Sequence, residues 1–198
     1  MKQSNPRILI WDVETSPLEG WAWQPRDTDL IEVKDKSYLL SIAWQWYGEK
    51  KVHQLSCSYK KDCRLAKKLH SLINKADMMI YQNGDSFDLK VAQTRMLDHN
   101  LPPVKKFKPR FRIDTLKEFR KNFKFHSNKL DDVCEYLGIP GKLKHPGFSM
   151  WKGCMRNEKA SQKLMGRYNM RDIEITRRIF ERVRPWIDNS VLRELEEK

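Results

Sequence analysis

Asp12 and Glu14 end the run Ile8-Leu9-Ile10-Trp11-Asp12-Val13-Glu14, and their spacing is the first chemical signal in the chain. Four apolar residues in a row read as a strand covered on both faces. Side chains alternate along a strand, so residues two apart point the same way. Two carboxylates at the end of a buried strand repel each other and lose hydration. A divalent cation relieves both costs. The pair therefore predicts a metal site whose other ligands come from elsewhere in the chain.

Two further acidic residues stand out. Asp88 falls in the first turn of an expected helix, just after a short apolar strand and the turn Asn83-Gly84-Asp85-Ser86. That is where sites form at the ends of sheet strands; a carboxylate there also simply complements the helix dipole. Asp172 is the sharper case. Ala160, Leu164, Tyr168, Asp172, Ile175 and Ile179 recur at steps of three or four, which is one face of a helix. An acid on an apolar face needs a partner. A cation would serve, as would a salt bridge to Arg171 or Arg95. Tyr168 lies one turn earlier on the same face, so its hydroxyl can reach whatever Asp172 binds.

The elements that must position these residues are legible in outline. Strands are expected at Ile8 to about Glu14, Leu39 to Tyr47 and Lys51 to Cys57, with a loop from Ser16 to about Asp35. Three strands in succession imply antiparallel hairpins. A helix from Asp62 to Lys75, a strand from Met78 to Tyr81 and a helix from Phe87 to His99 follow, the last capped from the Asn83–Ser86 turn. A strand at Arg110 to Ile113 leads into a helix capped by Asp114. Ser127-Asn128 is expected to cap a helix that Gly138 closes. Lys142 to Arg156 reads as a loop, Asn157 to about Val183 as a long helix, and Asn189 to Glu197 as a short terminal one. The pattern predicts an α/β chain, a mixed sheet with helices packed on it, in one domain over residues 1–198.

Composition bounds the partners. The chain has 198 residues and a net charge of +13, which points to a polyanion, nucleic acid first. No apolar run is long enough for a membrane span, and residues 1–6 lack a signal peptide's apolar core. The four cysteines form no CxxC pair, which fits a reducing, cytoplasmic setting.

Asp12-Val13-Glu14, Asn83-Gly84-Asp85-Ser86-Phe87-Asp88 and Tyr168-Asn169-Met170-Arg171-Asp172 resemble, in order, the three motifs of the DEDD superfamily. These are the DnaQ-like 3′–5′ exonucleases of the ribonuclease H-like fold. Phe111 to Leu116 and Lys129 to Ile139 resemble the family's fifth strand and the helix after it, so the likeness runs from Ile8 to about Phe180. The chain is most similar to stand-alone phage or bacterial versions of the proofreading domain of family B DNA polymerases. Tyr168, where the family carries His or Tyr, marks the DEDDy branch.

The resemblance implies a five-stranded mixed sheet with helices on both faces. It also implies two Mg²⁺ or Mn²⁺ ions held by Asp12, Glu14, Asp88 and Asp172, and hydrolysis from a 3′ end to nucleoside 5′-monophosphates. Asp12, Glu14 and Asp172 would hold the water-activating metal, and Asp12 would bridge to the second. Asp88 would reach that second metal directly or through water, and Tyr168 would orient the nucleophile. The implied substrate is DNA, with RNA as the alternative. A separate DNA polymerase is the implied protein partner, in a bacterial or phage-infected cell.

A substrate path should combine positive charge with aromatic faces. Lys105, Lys106, Lys108 and Arg110 interleave with Phe107 and Phe111 and fit that description; the lysines equally fit a solvated face. Trp21 and Trp23 either cap the terminal base or pack in the core. Asn83 and Phe87 flank Asp88 and are candidate contacts. His145 to Phe148 is placed to face the site.

Overall fold

The computed structural model describes residues 6–24, 29–104, 111–189 and 192–193. In chain order the elements are β1 (Ile8–Thr15), β2 (Glu19–Trp21), β3 (Glu32–Asp35), β4 (Leu39–Trp46), β5 (His53–Ser56), α1 (Cys63–Lys75), β6 (Met78–Tyr81) and α2 (Asp88–Asp98). There follow β7 (Arg112–Asp114), α3 (Thr115–Asn122), α4 (Leu130–Leu137), α5 (Phe148–Met155), α6 (Lys159–Val183) and a 3-10 turn at Arg184–Trp186. Five strands form one sheet in the order β5-β4-β1-β6-β7. β1 pairs antiparallel with β4 and parallel with β6, so it lies at the centre of a mixed sheet.

The alternation along β1 decides where the chemistry goes. Leu9, Trp11 and Val13 enter the core shared with Leu65 and Leu69 of α1 and Ala92 and Met96 of α2. Ile8 and Ile10 enter the opposite core, shared with Phe119, Val133, Ile173, Ile175 and Phe180. Helices therefore cover both faces. Asp12 and Glu14 have the parity of Ile8 and Ile10, so they emerge on the face that α6 covers. A register shift between Glu14 and Thr15 ends the regular pairing with β4 at this point. Such irregularities bend a strand and re-aim its side chains.

Two expected loops contain structure. The stretch from Ser16 to Asp35 holds β2 and β3, which pair as a separate two-stranded sheet. Gly20 permits it, because a Cβ there would stand 2.5 Å from the Glu32 carbonyl oxygen. The stretch from Lys142 to Arg156 holds α5. Its start is set by Gly147 at φ 66, and Met150, Gly153 and Cys154 form its buried face. Gly153 argues against a helix on propensity alone, yet it lets α5 press against Ser161, whose Oγ would lie 2.0 Å from a Cβ.

Two expected caps are also corrected. Neither the Asn83–Ser86 turn nor Ser127-Asn128 supplies a side-chain cap, since Phe87 and Lys129 hold the cap positions without one. Asp62 precedes α1 but does not cap it. Asp114 does cap α3, accepting the Leu116 N–H at 3.1 Å. The strand expected at Arg110 to Ile113 runs Arg112–Asp114. Of the expected terminal helix, Leu192 and Arg193 are helical, and residues 190–191 and 194–197 lie outside the described residues.

The Asp62 carboxylate has a different task. It is fully buried and takes Arg95 Nε at 2.6 Å, Arg95 Nη2 at 2.9 Å, His99 Nε2 at 2.7 Å and the Leu39 N–H at 2.9 Å. The start of α1, the last turn of α2 and the start of β4 are thereby tied together. Burial alone would raise the Asp62 pKa, but these donors hold it below the usual carboxylate value. Asp62→Ala leaves the buried Arg95 charge with only the more exposed Asp98 carboxylate, at 2.9 Å, and is expected to cost about 3 kcal/mol, read from urea unfolding. A change under 1 kcal/mol would contradict the assignment.

Candidate active site

Three elements converge at the end of β1. Asp12 and Glu14 come from the strand itself. Asp172 comes from α6, where an apolar stripe carries it down onto the sheet and leaves it 5% exposed. One carboxylate oxygen from each of Asp12, Glu14 and Asp172 lies within 4.8 Å of the others. Asp88 approaches from the far side of the strand, at the first residue of α2, and is 2% exposed. Its Oδ1 accepts the Val13 N–H at 3.0 Å, so a backbone bond in β1 fixes its place between Asp12 and Glu14 in sequence. Asp88 is outside the three-carboxylate group, but it is the largest charged neighbour raising the pKa of Asp12.

Crowding shows in the protonation of all four. Burial, then Asp88, Glu14 and Asp172, push Asp12 well above the carboxylate range. Burial and Asp172 carry Glu14 to about 8, and burial carries Asp88 to about 7. Asp172 is also raised by burial, although Lys142 opposes the shift. Like charges held this close need a counter-charge.

The sequence reading missed the group that supplies part of it. Lys142 Nζ donates to Asp172 Oδ2 at 2.7 Å and to the Tyr168 hydroxyl at 3.0 Å. Neither Arg171 nor Arg95 pairs with Asp172; they bond Glu174 and Asp62. Lys142 lies in irregular chain with no periodicity to mark it, and only the Gly141 beside it hints at a turn. Two more neighbours were missed. The Asn169 side chain donates to Asp12 Oδ2, and the Trp151 side chain hydrogen-bonds Glu14. Trp151 belongs to α5, where a loop was expected.

The residues fit a divalent cation. The donor set is all hard oxygen, which suits Mg²⁺ or Mn²⁺ and not a thiophilic metal. Asp172 Oδ1 is buried without a hydrogen-bond partner among the described residues, an expensive state for a carboxylate oxygen unless a ligand meets it.

Tyr168 is buried beside this group. His145 packs edge-on against it at 5.0 Å and Trp151 at 6.2 Å between ring centroids. Burial, then Asp172, raise its pKa, so the hydroxyl keeps its proton at neutral pH. At the end of β1 lies a cavity of about 340 Å³ lined by Thr15, Pro17, His145, Phe148 and Trp151. On the Asn83 side lies a cavity of about 620 Å³ lined by Gln82, Asn83, Arg120, Lys129 and Lys142. Asn83 adopts a φ of 60, and Phe87 is 44% exposed. Trp21 and Trp23 are 63% and 90% exposed, so neither packs in the core. Trp21 lines a further cavity of about 380 Å³ with Pro17, Phe148 and Lys152. Lys105, Lys106, Lys108 and Arg110 lie outside the described residues.

Comparison with known proteins agrees with this layout. The model of the RNase_H_2 family, described as RNase_H superfamily, matches residues 27–184. Its match begins after Asp12 and Glu14. A comparison with curated proteins finds no match. Among solved structures, the family B DNA polymerase from the hyperthermophilic archaeon Pyrobaculum calidifontis matches with a TM-score of 0.69 and 17% identity. That match covers 92% of this chain and 25% of the polymerase chain, so this chain spans about a quarter of the protein it resembles. At that identity the likeness is one of fold.

Proposed function

The chain belongs to the RNase_H_2 family of the RNase H superfamily, and from that premise we propose that it is a divalent-metal-dependent nuclease removing nucleotides from the 3′ end of single-stranded DNA. The observation that carries this reading is the convergence of Asp12, Glu14, Asp88 and Asp172, from three elements, beside a buried tyrosine. Asp12, Glu14 and Asp172 would hold one cation, and Asp88 would help to hold a second. When bound, such cations activate water and neutralise charge on a phosphodiester. Loss of an acid is what a silent binding module would show, and all four are present. The net charge of +13 supports a polyanionic substrate.

The protein's own groups do the rest. Tyr168 keeps its proton, so its hydroxyl serves to orient the attacking water rather than to deprotonate it. This is the role of the DEDDy branch. Lys142 neutralises Asp172 and steadies the same hydroxyl. The cavities on either side of the carboxylates provide room for the terminal nucleoside and for the strand leading to it.

The test offers labelled single-stranded DNA and RNA of one sequence to the purified protein with Mg²⁺, Mn²⁺ or EDTA. Stepwise shortening of DNA, faster than of RNA and abolished by EDTA, is expected. Faster shortening of RNA would replace the DNA reading with a ribonuclease one. Tyr168→Phe should turn over on the order of 10²-fold more slowly while binding Mn²⁺ as wild type does. A loss of Mn²⁺ affinity in Tyr168→Phe equal to that in Asp172→Ala would sink the orienting role.

A further inference from the structure

Asn169 stands in α6 between Tyr168 and Asp172 and is 0% exposed. A fully buried carboxamide must have both ends satisfied. Its Nδ2 donates to Asp12 Oδ2. Its Oδ1 accepts the Ser41 hydroxyl at 2.9 Å. Ser41 Oγ in turn accepts Gln54 Nε2 at 3.0 Å, and the same Gln54 nitrogen donates to Ser56 Oγ.

The polarity of this chain of bonds is forced from one end. A carboxylate that binds a cation only accepts, so with a cation bound Asn169 must turn its amino group to Asp12, the orientation it already has here. Its carbonyl oxygen then faces Ser41, which must give its one proton there. The hydroxyl is left as an acceptor toward the Gln54 amino group. Ser41 lies on β4 and Gln54 on β5, so the relay crosses from the sheet's edge region to its central strand through α6. Gly166, three residues before Asn169, makes room for it: a Cβ there would stand 2.9 Å from the Gln54 carboxamide carbon.

Resting on the metal-centre reading above, we propose that Asn169 is a positioning residue for Asp12. The Gln54–Ser41–Asn169 relay holds that carboxylate in its cation-binding orientation against the repulsion of Glu14, Asp88 and Asp172. Groups that orient metal ligands typically change metal affinity or activity by about 10–100-fold when removed.

The test measures Mn²⁺ binding by calorimetry to wild type, Asn169→Ala and Gln54→Ala, each well below its melting temperature. Asn169→Ala is expected to bind Mn²⁺ about tenfold more weakly, with a lower kcat, a higher Mn²⁺ half-saturation and an unchanged KM for DNA. Gln54→Ala should weaken Mn²⁺ binding in the same direction by a smaller factor, because Asn169 keeps its amide but loses what fixes it. Gln54 touches no carboxylate of the site, so this variant decides the matter if Asn169→Ala fails to fold. Wild-type Mn²⁺ affinity in the folded variants overturns the relay. A wild type that binds Mn²⁺ yet leaves DNA intact contradicts the nuclease reading instead, and the variants' affinities still decide the relay. Absence of Mn²⁺ binding by wild type overturns both.

Discussion

Asp88→Ala is expected to lower the rate of DNA shortening by about three orders of magnitude, with the fold intact. A bound cation supplies several kcal/mol of charge stabilisation in a phosphoryl-transfer transition state, and about 4 kcal/mol corresponds to that factor. Asp88 is the acid whose removal isolates the effect best. Its carboxylate takes backbone N–H groups, those of Val13 and of Asp88 itself, and Val13 lies at the end of a strand that β4 and β6 hold independently. Removing a buried acid raised to about 7 by its surroundings also relieves repulsion on Asp12. The variant should therefore be as stable as wild type in EDTA, or more so. Steady-state rates and thermal unfolding on the same sample check both halves. Wild-type activity would show that Asp88 has no part in the chemistry.

The second large effect joins pH, cation and stability. Free carboxylates titrate near pH 4, whereas Asp88 titrates at about 7 and Glu14 at about 8, with Asp12 and Asp172 also raised. Between those values the folded chain keeps protons that the unfolded chain has released. Stability then falls as pH rises. The contribution of these acids is fully present below pH 4 and is lost as pH passes through 7 to 8. A bound cation replaces the protons, and at a hundredfold excess over its Kd it adds about 2.7 kcal/mol. The melting temperature in Mg²⁺ should therefore exceed that in EDTA by more at pH 8 than at pH 5. An equal or larger gap at pH 5 would contradict the account.

What could be read from the chain follows from periodicity. Asp12 and Glu14 were legible because strand alternation is strict, and Asp172 because one acid interrupts an apolar helical stripe. The mixed sheet followed from three strands without a helix and then alternation. The residues that complete the site carry no such mark. Lys142 reaches Asp172 from irregular chain, thirty residues away in sequence. Trp151 sits on a helix that Gly153 disguised. Asn169 was quoted within a motif, yet its bond to Asp12 depends on a fold that brings residues 157 positions apart together. The β2–β3 hairpin was missed because Pro17, Gly20 and two exposed tryptophans read as loop. Long-range polar contacts of this kind are set by tertiary geometry, which local spacing does not encode.

The most direct measurement is the identity of the products. Single-stranded DNA labelled at its 5′ end, incubated with protein and Mg²⁺, should shorten as a ladder from the 3′ end. The released material should be nucleoside 5′-monophosphates, with none formed in EDTA and their formation slowed about a thousandfold in Asp88→Ala. Intact DNA under both Mg²⁺ and Mn²⁺, or loss of the 5′ label as the first event, would contradict a 3′–5′ exonuclease built on these four carboxylates.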